Sequence, residues 1–312
     1  MMQTGFPSEP TSLLTVTPRR RRQRLWERVI AVVLAAAAFS SVLVTFGIVV
    51  TLVVESAPFF AHVSLWDFFT DTLWTPLFAE PRYGILALVS GTMMTTAVAL
   101  SLALPAGTII AIYLSEFAPP WFRDWVKPIL ELLSAVPTVV YGYFALLVVT
   151  PFLQRFIPDL SYFSILSAGL VMGVMIIPYV SSLSEDAMRA VPAILREGSY
   201  ALGASKLGTS VNVVFPSALS GIAASYVLAI SRAVGETMIV AIAAGLQPKF
   251  TLNPLESAAT ISAFIVQVSL GDLPHGSIGY QSIFAAGITL FAITLCFNIG
   301  AHWLRRRFRE AY

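Results

Sequence analysis

The sequence is poor in charge and in cysteine. Of its 312 residues, 12% are charged and 57% are hydrophobic, whereas about 25% are charged in an average soluble domain. This composition excludes an ordinary soluble protein and predicts a polytopic membrane protein. The single cysteine, Cys296, excludes an intrachain disulfide and a cysteine-based metal cluster.

Signatures of catalysis are also missing. The sequence has no G-x-x-x-x-G-K-[ST] phosphate-binding loop, and its nearest stretch, from Gly203, lacks the lysine after Gly208. Neither H-E-x-x-H nor G-x-S-x-G occurs, and His62, His275 and His302 lie far apart along the chain. We therefore expect a chain that is not an enzyme and that binds no metal or cofactor itself.

Long apolar runs predict an all-α protein with six transmembrane helices, because about 20 apolar residues cross the hydrocarbon core. The predicted spans cover residues 29–54, 85–113, 125–151, 162–183, 216–245 and 280–303. They form a transmembrane domain over residues 29–304, between basic tails at residues 1–28 and 305–312. A cleaved signal peptide is the competing interpretation of the first run. That run has 26 uncharged residues, however, and signal cores have about 7 to 15.

The distribution of Lys and Arg predicts the orientation of the chain. With both termini in the cytoplasm, 15 of the 19 Lys and Arg residues lie on the cytoplasmic side, and Arg82, Arg155 and Lys249 lie outside. Positive residues favour cytoplasmic loops, so this orientation is expected. It places the loop 184–212 in the cytoplasm. Outside, the stretch 253–272 fits an interfacial or a re-entrant helix.

The loop 184–212 carries a spaced motif. Glu197 is followed by the small residues Gly198 and Ser199, by Gly203 after a three-residue gap, and later by Pro216. Small residues on one helix face allow another surface to come close, and proline suits the first turn of a new helix. We interpret residues 197–216 as a docking surface.

Two ionisable residues, Arg232 and Glu236, lie in the fifth predicted span. A charge at the bilayer centre costs at least about 2.5 to 3.5 kcal/mol, so it needs a partner or a watery cavity. Side chains four apart on a helix can pair. Two interpretations stay open. The pair locks the span to its neighbours, or Arg232 lines a path for an anion while Glu236 holds it in place and limits anion affinity.

The docking motif resembles the EAA loop of ABC importer permeases, with Gly198 and Ser199 in place of two alanines and Phe215 in place of leucine. Three further stretches, ELLSAVPTVVYGYFAL, MIIPYVSSLSEDAMRAVP and SRAVGETM, resemble the PstC-type permease subunit of the phosphate-specific ABC importer. The resemblance extends over roughly residues 85–303.

This resemblance implies a type I ABC importer permease core in the cytoplasmic (inner) membrane of a prokaryote. It implies that the docking loop contacts an ATPase and that Arg232 and Glu236 serve phosphate passage. The implied partners are a PstA-type sister permease, two PstB-type ATP-binding subunits that bind ATP and Mg, and an extracytoplasmic PstS-type phosphate-binding protein.

Other functions stay open on the residues alone. Arg232 supplies a positive charge, which does not distinguish phosphate from sulfate or molybdate. An ATP-independent secondary transporter is the alternative from another class. The motif spacing on the cytoplasmic side and the absence of a clear inverted repeat count against that alternative.

Overall fold

A computed structural model describes residues 18–307 apart from residues 77, 79, 272 and 275. The described chain is nearly all helical. Its helices are α1 (Pro18–His62), α2 (Leu65–Thr70), α3 (Leu86–Ile112), α4 (Pro120–Ala135), α5 (Thr138–Phe144), α6 (Thr150–Gln154), α7 (Ile165–Arg189), α8 (Ala193–Ala201), α9 (Lys206–Thr209), α10 (Phe215–Ser217), α11 (Leu219–Val234), α12 (Met238–Ala243), α13 (Ile261–Ser269) and α14 (Ile278–Arg307). Single π turns at Tyr113–Phe117, Ala145–Val149 and Ser210–Val214 continue α3, α5 and α9.

Four helical stretches among the described residues are long and apolar enough to cross a membrane. They are Trp26–His62, Leu86–Phe117, Ile165–Arg189 and Ile278–Gly300. Two bent pairs, Pro120–Ala135 with Thr138–Gln154 and Lys206–Ser217 with Leu219–Val234, bring the number to six if each pair is one span. This fits the polytopic all-α class, and the side that each terminus faces stays a prediction.

The chain divides into two compact units, Met1–Thr51 and Leu52–Tyr312. As far as the structure describes it, the first unit is the N-terminal part of α1, with mostly exposed side chains. Helix α1 begins at Pro18, inside the predicted tail 1–28, since proline is favourable in a first turn. Residues 1–17 and 308–312 of the two predicted tails lie outside the described residues.

The second unit is built around α3 and α7, which pack closely side by side. A Cβ atom added to Gly169 would lie 2.6 Å from the Val98 side chain, and one added to Gly107 would lie 2.6 Å from that of Val180. The absence of a side chain lets helices approach this closely. Because the contacts advance along both helices together, α3 and α7 run in the same direction. They begin at one end of the bundle, the α2 end, and finish at the other, the α8 end.

Three buried apolar clusters follow one another along α3. The first lies at the α2 end and includes Leu88 and Trp74. The second lies midway and includes Ala103. The third lies at the α8 end and joins Ala111 of α3 to Met188 of α7. Helix α3 is therefore the common wall of the whole core.

The stretch from residue 246 to the end of α13 folds back against the starts of α3 and α7. Thr92 Oγ1 of α3 accepts a hydrogen bond from the Ile261 N–H at 3.1 Å. The Glu256 carbonyl accepts one from the N–H of Ile165, the first residue of α7, at 3.0 Å. Phe264 of α13 is buried. Residues 258–264 are therefore buried in the bundle, which does not fit an interfacial helix, whereas Ser269 and Leu270 at the end of α13 are exposed.

Two predicted spans coincide with bent chain. In the third, 125–151, the helices on either side of Val136 and Pro137 differ in direction by 87°. Val136 is extended, with φ −64° and ψ 131°, because the α conformation is disfavoured before proline. In the fifth, 216–245, the chain bends by 72° at Ala218, and α11 ends at Val234. Neither segment is one straight helix.

We expect Gly91→Ala to destabilise the fold. Its Cβ would lie 2.3 Å from the Ala259 carbonyl oxygen, and overpacking of this kind costs about 1–3 kcal/mol. The measurement is the thermal unfolding midpoint of the purified protein. Gly300→Ala is the matched control, because that helical position has no atom within 4 Å of an added Cβ. Equal midpoints for the two variants would show that the 246–260 stretch does not pack this closely.

Candidate functional site

The predicted docking segment, residues 197–216, forms short helices at the α8 end. The chain leaves α8 through Gly203, whose φ of +83° lies in the left-handed region that glycine adopts readily. Ser205 is the N-cap of α9, and its Oγ accepts the Gly208 N–H at 3.1 Å. Pro216 lies in the first turn of α10. The motif therefore forms a helix, a turn and a second helix.

The predicted docking residues differ in their contacts. Glu197 and Gly198 are exposed, and a Cβ atom added to Gly198 or Gly203 would meet nothing within 4 Å. Ser199 is half-buried, and its hydroxyl lies 2.8 Å from Thr209 Oγ1, which joins α8 to α9. Packing within this chain thus does not require a small residue at Gly198.

Arg196 fastens this segment to the bundle, a role that the sequence interpretation missed. Its Nη2 lies 2.9 Å from Glu116 Oε1 in the π turn after α3, and its Nη1 and Nη2 donate to the carbonyls of Val191 and Met188 at 2.6 and 2.8 Å. Only 4% of the Glu116 side chain is exposed. A buried carboxylate needs such a partner. The sequence feature that could have indicated this anchor is Glu116, a single acidic residue at the end of a long apolar run.

A second group of charges joins α4 to α7 and was also missed. Lys127 Nζ lies 2.7 Å from Glu185 Oε2 and 2.6 Å from Asp186 Oδ1. Glu185 is buried, and its other oxygen lies 3.5 Å from Arg189 Nη1. Lys127 is 58 residues from Glu185 and 59 from Asp186, so no local spacing rule finds the contact between α4 and α7.

Arg232 and Glu236 lie on either side of a break in the fifth predicted span. Helix α11 ends at Val234, and α12 begins at Met238. Glu236 is buried, and its Oε1 accepts the Met238 N–H at 3.1 Å and the Ile239 N–H at 3.4 Å. Glu236 therefore caps α12.

The expected pairing of these two residues is wrong. Side chains four apart meet only along an unbroken helix, and the helix is interrupted between them. No ion pair joins Arg232 to Glu236 in the described part of the chain. Arg232 is exposed instead, and its guanidinium carbon lies 5.8 Å from the centre of the Tyr179 ring of α7. The lock interpretation therefore lacks its pair, and in the pathway interpretation Glu236 does not hold the Arg232 side chain in place.

Comparison with known proteins gives a consistent set of relatives. Residues 103–310 match the profile of the family described as "Binding-protein-dependent transport system inner membrane component". The chain is 34% identical over 245 residues to "Probable ABC transporter permease protein YqgH" of Bacillus subtilis, which covers 78% of this chain and 79% of that relative. It is 34% identical over 248 residues to "Phosphate transport system permease protein PstC" of Xylella fastidiosa, covering 73% and 75% of the two chains.

Solved structures agree on the fold. A chain of a bacterial ABC transporter involved in alginate import matches with a TM-score of 0.62 and 17% identity, over 92% of this chain and all of that one. A chain of the MetNI methionine ABC transporter matches with a TM-score of 0.55 and 16% identity, over 73% of this chain and 95% of that one. Both chains come from ABC transporters, and at these identities the likeness concerns the fold.

Arg196→Met is expected to loosen α8, because it leaves the Glu116 carboxylate buried without its partner. Hydrogen bonds to charged groups contribute about 1.5–3 kcal/mol, so amide hydrogen exchange of residues 193–201 should accelerate roughly 10- to 100-fold. Lys249→Met is the control, since it removes an exposed ion pair to Glu256 far along the chain. Unchanged exchange in α8 of Arg196→Met would contradict the anchoring role.

Proposed function

The chain belongs to the family of binding-protein-dependent transport system inner membrane components, and we propose that it is the permease subunit of an ATP-driven phosphate importer. As a member of this family it is a non-catalytic, multi-pass subunit of an ABC importer in the inner membrane. ATP hydrolysis belongs to partner subunits, and membership of this family decides against an ATP-independent secondary transporter.

The phosphate proposal rests on the environment of the Arg232 guanidinium. Arg232 is exposed, its guanidinium lies over the ring of Tyr179, and it forms no ion pair among the described residues. A cation–π contact contributes about 0.5–2 kcal/mol and leaves the N–H donors of the guanidinium available. Guanidinium groups suit the oxygens of phosphate because they donate two parallel hydrogen bonds. Arg232 is therefore assigned to the translocation path as the group that attracts the anion.

Glu236 has a supporting role in this proposal. Its carboxylate is occupied by the backbone of α12, so it does not neutralise Arg232. It stabilises the chain break that follows Arg232 and places a negative charge near the path. That charge limits how tightly an anion binds, which favours its release.

The docking segment completes the proposal. Exposed Glu197 and Gly198 contact an ATP-binding subunit, with exposed Leu202 and Leu207 beside them. Two such subunits, which bind ATP and Mg, act with a PstA-type sister permease and an extracytoplasmic PstS-type binding protein. Closure of the ATPases moves α8, and Arg196 passes the movement to α3 and α7.

Relatives named PstC support the choice of phosphate. Sulfate or molybdate is the second candidate, because both are oxyanions.

Arg232→Gln should reduce ATP-dependent uptake of radiolabelled phosphate by proteoliposomes at least about tenfold, since it removes a charge-assisted interaction. Arg232→Lys separates loss of charge from loss of the planar donor group. Arg82→Gln is the control, because Arg82 forms an exposed ion pair of little energetic value. Normal uptake by Arg232→Gln would overturn the pathway role, and preferential competition by sulfate would overturn phosphate as the cargo.

Glu197→Lys should reduce co-purification of the ATP-binding subunit while the permease still inserts. Glu197 is exposed on α8 and forms none of the ion pairs among the described residues, so reversing its charge breaks no such pair within this chain. The ATP-binding subunit recovered per permease is measured on gels. Glu80→Lys, an exposed acid before α3, is the matched control. Full recovery with Glu197→Lys would argue against docking at this segment.

A further inference from the structure

Helix α4 has no buried residue, although it directly follows a candidate membrane span. Only two residues separate the end of that span, Leu86–Phe117, from Pro120, the first residue of α4. So short a connection reaches at most about 10 Å. Since the chain is an inner-membrane subunit, α4 starts close to the membrane face at which α3 ends.

Lys127 holds the middle of α4 close to the same membrane face. Its partners, Glu185 and Asp186, lie in the last part of α7, and α7 is another candidate span that finishes at the α8 end. Beyond Ala135 the axis turns by 87° into the helical stretch Thr138–Gln154. That stretch leads back to the start of α7 at the α2 end, so α4, nearly at right angles to it, lies across the α8 end of the bundle.

The side chains of α4 fall on three sides, as the 100° step between successive helical residues dictates. One side faces the protein through Lys127. A neighbouring edge carries Asp124 and Glu131, which are exposed. The remaining side is an exposed apolar stripe, and 54–73% of each large residue on it is accessible. The stripe consists of Trp121, Trp125, Ile129 and Leu132.

We propose that α4 is an interfacial helix whose stripe is embedded in the lipid leaflet at the α8 end. Helices of this kind lie in the membrane plane, with Trp and Leu buried about 5–10 Å below the surface and charges on another side. Tryptophan is enriched at this depth because its ring is apolar while its N–H reaches polar groups. The position of α4 at the end of two candidate spans, and the charged edge beside the stripe, favour lipid over another protein. This inference is independent of the transported ion.

The test uses the permease co-expressed with its partner subunits and reconstituted in lipid nanodiscs. Single cysteines are placed at Trp121, Trp125, Ile129 and Leu132 in a Cys296→Ala background and carry a nitroxide spin label. Asp124 and Glu131 are the matched controls on the same helix. Collision with oxygen, which partitions into lipid, is compared with collision with a water-soluble nickel chelate.

Labels on the stripe should collide mainly with oxygen, and labels at Asp124 and Glu131 mainly with the nickel chelate. Exclusion of both reagents from the stripe would overturn the proposal in favour of a protein contact, such as the sister permease. Dominant collision with nickel would overturn it in favour of a water-exposed helix.

A second measurement needs no cysteine substitution. Bromine-labelled acyl chains quench tryptophan that touches lipid, so the double variant Trp121→Phe, Trp125→Phe should lose quenched fluorescence relative to the unsubstituted protein. Trp74→Phe is the control, because Trp74 is fully buried. Loss of unquenched fluorescence only from the double variant would contradict lipid contact.

Discussion

Backbone groups that lie away from water must find hydrogen-bond partners within the protein, and this requirement shapes the second unit wherever a helix is interrupted. After α11, Glu236 Oε1 accepts the first N–H groups of α12, and the Glu236 carbonyl accepts the Ser262 hydroxyl at 2.7 Å. At the α2 end, Thr92 accepts the first N–H of α13. Each irregular segment is held by a specific side chain, so α13 and the break after α11 stabilise one another.

The same requirement explains how one guanidinium remains available. The carboxylate that the spacing assigns to Arg232 is used by the backbone of α12, and Arg232 is left against the face of Tyr179. A guanidinium that lies against an aromatic ring keeps its N–H donors available, whereas in a salt bridge the carboxylate accepts some of these N–H groups and offsets the positive charge. Because Glu236 caps α12, the Arg232 guanidinium has no carboxylate partner there, and the proposed anion path depends on this guanidinium.

At the α8 end, the helices are connected by ion pairs between residues far apart in sequence. Arg196 connects α8 to the ends of α3 and α7, and Lys127 connects α4 to α7. Pairs with a buried partner are costly to break, so α8 cannot shift without moving the ends of α3 and α7. The proposed coupling between the partner ATPases and the membrane helices depends on the connection that Arg196 makes.

The sequence by itself determined the membrane class, the approximate positions of the apolar helices and the docking motif around Glu197, because composition and local spacing are properties of neighbouring residues. It also placed Arg232 and Glu236 in one predicted span. Only the tertiary structure decided that these two do not pair, that Arg196 meets Glu116 80 residues away, and that residues 246–260 fold into the bundle. The physical reason is that these outcomes depend on contacts between residues far apart in sequence, such as Ser262 with the Glu236 carbonyl and Ile261 with Thr92, which local spacing does not reveal.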